Sequence, residues 1–142
     1  MIRVKLILGV ALLVGVSLLI GTAARCNEGS FAADKMVLSY YNAINNGDTA
    51  KAQSYISPGN QSMLRCTEDL VGAMAGKIHS VEVLDTIRWS EGAWGGPPQI
   101  LVYVEITCDS DVPARVQGCG TCGNQEVLLV EFDSGWKIEY IS

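Results

Sequence analysis

The sequence predicts an α+β domain in which N-terminal helices pack on a curved antiparallel sheet, preceded by one transmembrane helix. Three features of the sequence lead to this fold class. The first 24 residues include a long uncharged apolar stretch, the apolar residues then recur at helical spacing, and from Lys77 onward they mostly alternate every second residue. Helices followed by a run of strands are typical of α+β domains with an antiparallel sheet. The chain of 142 residues is long enough for one such domain.

The beginning of the chain has the composition of a membrane anchor. Residues 6–24 (LILGVALLVGVSLLIGTAA) carry no charge, and as a helix they would extend about 28 Å, close to the hydrocarbon thickness of a bilayer. Arg3 and Lys5 precede this segment, whereas Arg25 alone follows it closely. The positive-inside rule therefore places the N-terminus in the cytoplasm and the rest of the chain on the extracytoplasmic side of the cell membrane.

Three fates of this segment stay open. An uncleaved single-pass anchor fits its length, and a cleaved secretory signal fits the small residues at 22–24 (Thr-Ala-Ala). A lipoprotein leader would place its lipid on Cys26, but Arg25 stands where such leaders have a small residue. We therefore divide the chain into an anchor or signal segment, residues 1–25, and an extracytoplasmic domain, residues 26–142.

The extracytoplasmic domain is strongly acidic. Residues 26–142 contain seven Lys and Arg and all 15 Asp and Glu of the chain, which gives a net charge of −8. Such a charge repels nucleic-acid phosphates and anionic lipid head groups. We therefore expect a protein or small-molecule partner and no nucleic acid, with the membrane contacted through the N-terminal helix.

Three helices are predicted in the first half of the domain. The first, 31–46, has five apolar residues at helical spacing: Ala33, Val37, Tyr40, Tyr41 and Ile44. The second, 49–56, follows Asp48, whose short side chain is a good N-cap. The third, 61–75, begins after a break at 57–59 (Ser-Pro-Gly) and has an apolar face formed by Leu64, Val71 and Met74.

Four strands are predicted in meander order, over residues 81–89, 100–107, 126–132 and 136–141. In the first strand, Val81, Val83, Ile87 and Trp89 are expected on one face, and Leu84 and Asp85 break the alternation, which indicates a bulge. A long loop is expected over 109–124. A turn at 133–135 (Asp-Ser-Gly) joins the last two strands as a hairpin.

Two segments resemble the nuclear transport factor 2-like superfamily. Residues 37–52 (VLSYYNAINNGDTAKA) are similar to its opening helix pair, with an aromatic pair, an Ala, a polar run, Gly-Asp and Lys-Ala in order. Residues 128–138 (LLVEFDSGWKI) resemble its closing hairpin, in which Gly-Trp-Lys-Ile leads into the last strand. The resemblance covers about residues 31–141 and is closest to small bacterial membrane-anchored or lipoprotein-type members without assigned activity.

The resemblance implies a cone, with a pocket between the helices and the curved sheet. Ketosteroid isomerases and polyketide cyclases are similar to this fold and place acids or a His in the pocket, which makes Asp85 the candidate catalytic residue. The other interpretation of Asp85 is a bulge or edge position that faces water. Candidate pocket residues are Tyr40, Tyr55, Trp89 and Tyr103. Members of the superfamily often pair through the sheet, so a homodimer is also implied.

Cysteine chemistry is the clearest chemical signal among the domain's residues. Thiols outside the cytoplasm tend to be oxidised, and Cys108 ends a strand whose expected partner strand follows Cys119 and Cys122. Cys108 can therefore bridge to either of these two, and the remaining one can reach Cys66. Cys26 is left free, lipidated or paired between chains. A redox motif at 119–122 and a zinc site remain alternatives, but we expect structural disulfides, with no metal and no cofactor.

We expect the domain to be non-enzymatic and to bind a protein partner or a small apolar ligand at the cell envelope. The alternatives are an isomerase- or cyclase-like enzyme that uses Asp85, and an envelope thiol redox protein that uses Cys119 or Cys122. An enclosed pocket with Asp85 close to a tyrosine favours the enzyme. A space filled by side chains favours binding through the sheet face that the helices leave free.

Overall fold

A computed structural model of the protein describes residues 28–91 and 95–142. The predicted anchor or signal segment, residues 1–25, and the odd cysteine, Cys26, lie outside these residues. Within the described ranges, no helix combines the length and the apolar composition needed to cross a membrane.

The α+β class is confirmed, because helices pack against a mostly antiparallel sheet. The helices are α1 (Glu28–Asn45), α2 (Thr49–Ser54) and α3 (Gln61–Met74). The strands are β1 (Ile78–Trp89), β2 (Gln99–Cys108), β3 (Arg115–Val116), β4 (Cys119–Gly120), β5 (Gly123–Phe132) and β6 (Gly135–Ile141).

Polar side chains and one glycine set the ends of the helices. The Asp48 carboxylate accepts the backbone N–H of Lys51 at 3.0 Å and so caps α2, as predicted. Asn60 caps α3 in the same way, accepting the N–H of Met63 at 3.1 Å. Gly47 has a φ of +72°, a left-handed conformation that lets the chain turn from α1 into α2 without the clash a Cβ would cause.

The four long strands form an antiparallel meander in the order β1-β2-β5-β6. The short strands β3 and β4 pair separately, as a ribbon within the segment that was expected to be a loop. The ribbon could not be predicted from the sequence, because strands of two residues are too short to show an alternation of apolar and polar residues. The edge at β6 is partly covered, since Ile138 bonds through its backbone to Tyr55 and Ser57.

A bulge at Leu84 changes which side of β1 faces the helices. On either side of Leu84, β1 pairs with β2 through Val83–Val104 and Asp85–Tyr103. The bulge is confirmed, but the expectation that Ile87 and Trp89 share a face with Val83 is wrong. One extra residue reverses the alternation, so Ile87 and Trp89 lie on the face away from the helices, called the outer face below.

The core lies between the helices and the opposite, inner face of the sheet. In β2 the residues alternate strictly, and those on the inner face are buried: Ile100, Val102, Val104 and Ile106. The predicted apolar face of α1 packs against them and is buried as expected. Burying one such aliphatic side chain contributes about 1.5–3 kcal/mol, so this two-sided packing is a main source of stability.

Two isoleucines test which face of the sheet is the core. Ile100 is fully buried and Ile87 is 38% exposed. We expect Ile100→Ala to lower the free energy of unfolding by about 2–5 kcal/mol, because it leaves a cavity, and Ile87→Ala to lower it by less than about 1 kcal/mol. Urea unfolding of the full chain in detergent measures both. Equal losses would contradict the assignment of the inner face as the core.

Candidate functional site

The four candidate pocket residues do not come together in one pocket. Tyr40 is buried in the core on the helix side of the sheet, and Tyr55 is the C-terminal cap of α2. Tyr103 lies on the outer face through the alternation of β2, and Trp89 lies there because the bulge in β1 reverses the alternation before it. The structure thus places Tyr40 on the helix side of the sheet and Tyr103 and Trp89 on the other side.

Large side chains fill the middle of the space between the described helices and the inner face. Tyr40, Ile44 and Leu70 contribute from the helices, and Ile100 and Leu129 from the sheet, each less than 2% exposed. Among the described residues, the middle of this space is therefore occupied by side chains.

Tyr40 and Tyr41 are buried in the core. Their rings meet edge to face, with centroids 5.1 Å apart. Burial raises the pKa of both phenols well above the ordinary value, so both are neutral at physiological pH. The hydroxyl of Thr67 donates to the carbonyl of Met63 at 2.8 Å, which leaves Tyr40 as the donor in its 2.9 Å bond to Thr67. The Tyr41 hydroxyl has no partner among the described residues.

Asp85 is exposed on the outer face of the edge strand β1. Its Oδ1 accepts the backbone N–H of Thr86 at 2.8 Å, and Tyr103 is its cross-strand neighbour. Among the described residues no hydrogen bond joins Asp85 to a tyrosine. A carboxylate in this position stays solvated and lacks the enclosure that a pocket base requires. Its geometry is that of the edge position facing water.

The four cysteines of the predicted disulfide framework form two pairs. Cys66 on α3 is bonded to Cys119 on β4, and Cys108 at the end of β2 is bonded to Cys122. The Cα atoms lie 6.0 Å and 6.1 Å apart, within the range of about 4.4–6.8 Å that disulfides usually span. Each cysteine of the 119–122 motif is thus bonded to a distant residue and not to its neighbour in the motif.

Side chains outside the predicted sites, those of Thr121 and Gln125, hold the ribbon in place. Thr121 is buried, and its backbone N–H and hydroxyl donate to the carbonyls of Ala114 and Pro113 respectively. The buried amide of Gln125 donates to the carbonyl of Cys122 at 3.2 Å. It also lies so close to Gly120 that a Cβ there would collide with it. The sequence feature that could have indicated this close packing is Gly120, which lies between the two cysteines of the 119–122 motif.

The outer face carries a continuous row of apolar side chains across all four long strands. Ile87, Leu101, Leu128 and Tyr140 are in register from one edge to the other, and we call them the apolar row. Tyr140 is 56% exposed and Ile87 is 38% exposed. The neighbouring row adds Trp89, which is 42% exposed. Large apolar side chains are thus clustered on a surface that faces solvent.

Carboxylates occupy the next rows of the same face. Asp85 and Glu126 flank Tyr103 in one row, and Glu82 stands directly opposite Glu105 in the following row. We call these four carboxylates the acidic rows; all four are exposed. A groove of about 380 Å³ lies beside them, and its lining includes Leu84, Tyr103, Glu126 and Ser142.

No protein-family model and no curated protein matches the chain. A similar solved structure is that of a protein from Novosphingobium aromaticivorans described as a candidate aromatic ring hydroxylase. Its TM-score is 0.53 and its identity 11%, over 80% of this chain and 86% of that chain. The two proteins share a fold. At this identity the likeness concerns the fold alone.

Removing the hydroxyl of Tyr40 and removing that of Tyr41 are expected to have different effects on the free energy of unfolding. We expect Tyr40→Phe to lower the free energy of unfolding at pH 7 by about 1 kcal/mol, because Thr67 loses its donor. Tyr41→Phe should leave stability unchanged or raise it, because the hydroxyl it removes is buried without a partner. Urea unfolding of both variants measures the difference. A larger loss for Tyr41→Phe would contradict the hydrogen-bond assignment.

Because these two phenols are buried, we expect the protein to lose stability in alkali. Unfolded tyrosine ionises near pH 10, whereas burial keeps both phenols protonated in the folded chain. Above about pH 10 the unfolded state therefore binds fewer protons than the folded state, and the free energy of unfolding falls as pH rises. Tyr41→Phe removes one of these groups, so its alkaline unfolding midpoint should shift to higher pH. An unchanged midpoint would contradict this account.

The two disulfides are expected to stabilise the fold unequally. The Cys66–Cys119 bond joins residues 53 apart and the Cys108–Cys122 bond joins residues 14 apart. Loop-closure entropy gives about 4 and about 3 kcal/mol respectively. Thermal unfolding of Cys66→Ala/Cys119→Ala and Cys108→Ala/Cys122→Ala compares them, and peptide mapping without reductant checks the pairing. A bond between Cys119 and Cys122 would contradict the framework.

Proposed function

We propose that the chain is a membrane-tethered, extracytoplasmic and non-enzymatic domain of the nuclear transport factor 2-like superfamily that binds a protein partner through the outer face of its sheet. The apolar row is the observation that carries this proposal. Contiguous exposed apolar side chains on a soluble domain are typical of interaction surfaces, because leaving them in water is unfavourable. Here Ile87 and Tyr140 are exposed and Leu101 and Leu128 between them are half-buried, and the four run in register across four strands.

The position of the candidate acid supports a binding role over an enzymatic one. Asp85 is on the outer face and solvated, while the middle of the inner side is occupied by core residues such as Tyr40 and Leu70. The shared fold with the solved structure and the motifs at 37–52 and 128–138 support the superfamily assignment. The assignment by itself fixes no activity, since one fold serves many functions.

The membrane placement is supported by sequence and cysteine chemistry together. The uncharged stretch at 6–24 is long enough to span a bilayer, and in the sequence only residues 25–27 lie between it and Glu28, the first residue that the structure describes. Two disulfides fit an oxidising compartment outside the cytoplasm. A domain attached this closely would meet partners at the membrane surface.

Site-specific photo-crosslinking tests the proposed surface. A benzophenone amino acid is placed at Tyr140 on the outer face or, as the control, at Glu68, which is exposed on α3. In cells that naturally contain the protein, we expect an adduct of discrete mass from position 140 and none from position 68. Ile87→Asp should abolish the adduct, because it puts a charge in the apolar row. Equal adducts at both positions, or none from position 140, would contradict the proposal.

A further inference from the structure

The apolar row and the acidic rows lie side by side on one face, and this arrangement indicates the chemistry of the partner. We infer that the outer face binds a cationic amphipathic segment of another protein, with apolar side chains on the apolar row and Lys or Arg on the acidic rows. The inference rests on the proposed function, which supplies the surface but not the partner.

The outer face is polarised along the strands. Glu82, Asp85, Glu105 and Glu126 stand on one side of the apolar row. Among the described residues of the four long strands, the cationic side chain on the outer face is that of Lys137, and it lies on the other side of the apolar row. Its ammonium donates to the carbonyl of Ser54 at 2.9 Å. Among the described residues, no Lys or Arg of the outer face therefore lies beside the four carboxylates.

One pair of carboxylates is placed unfavourably for the isolated domain. Glu82 and Glu105 are direct cross-strand neighbours on the outer face. Like charges in this position destabilise a sheet, by up to about 1 kcal/mol. A Lys or Arg from a partner would lie between two carboxylates and relieve this repulsion, whereas an acidic or uncharged segment would not.

The spacing of the rows sets the pattern expected in the partner. Leu101, Tyr103 and Glu105 follow one another on the outer face of β2. Two residues of a strand span about 7 Å, so the acidic rows lie about 7 Å and about 13 Å from the apolar row. An extended partner segment would match them with cations two and four residues from an aromatic or aliphatic anchor.

A second copy of this chain fits the charges less well than a cationic segment. Each copy has a domain net charge of −8 and would bring its own acidic rows to the same interface. Two acidic domains repel one another at low ionic strength, while a cationic segment is attracted before contact. The groove beside Tyr103 and Glu126 provides space for the aliphatic part of one long basic side chain.

An unbiased peptide selection tests the inference. A random 12-residue library displayed on phage is selected on the full chain in nanodiscs of zwitterionic lipid. Peptides that also bind the Tyr140→Asp chain are removed. We expect the survivors to be enriched in Lys and Arg two to four residues from an aromatic or aliphatic residue.

The other outcomes distinguish a failure of this inference from a failure of the proposed function. Survivors without enrichment in Lys and Arg would overturn the cationic inference and leave the binding surface in place. A library in which no peptide distinguishes the chain from Tyr140→Asp would count against both the surface and the inference.

A charge-matched pair of variants gives the second measurement. Fluorescence anisotropy follows the binding of selected peptides to Glu105→Gln/Glu126→Gln and to the control Glu68→Gln/Asp69→Asn, which removes the same charge from α3. We expect the first variant to bind about 10-fold more weakly at low salt and the control to bind as the unmodified chain does. Equal weakening in both variants would overturn the inference, since it would reflect net charge alone.

Discussion

The register of β1 on β2 determines what each face of this protein can do. Side chains of a strand alternate between faces, so one extra residue reverses every position that follows it. The extra residue is Leu84, and after it Asp85 and Ile87 lie on the outer face while Thr86 lies on the inner face. Without the bulge, Asp85 would face the helices, and the apolar row would lose its first member.

Polar residues moved to the inner face by the bulge have partners there. The Thr86 hydroxyl donates to the Asp34 carboxylate on α1 at 2.6 Å, so strand and helix are joined by a side-chain hydrogen bond. The Arg88 guanidinium lies over the ring of Trp136, 5.8 Å from its centroid, within the range of a cation–π contact. These contacts explain how the C-terminal half of β1 can have polar side chains on the inner face and apolar side chains on the outer face.

Local patterns in the sequence were sufficient for most of the fold. The cap at Asp48 and the alternation of β2 depend on neighbouring residues, and they agree with the structure. The faces of Ile87 and Trp89 depend instead on where the register shifts, which only the pairing with β2 decides. The sequence located the break in alternation but not its consequence, and the pocket expected around Asp85 depended on that consequence.

The cysteine pairing shows the same limit and explains how the outer face is maintained. Sequence spacing left the partner of Cys108 open between Cys119 and Cys122, because the choice depends on the ribbon formed by β3 and β4, which places Cys119 beside α3. The bond from Cys108 to Cys122 closes the β2–β5 pair at the end where Glu105 lies. Its stabilisation, about 3 kcal/mol, exceeds the cost of about 1 kcal/mol or less for the Glu82–Glu105 pair. The domain can therefore hold this repulsive pair before a partner binds, so a bound cation is not required for folding.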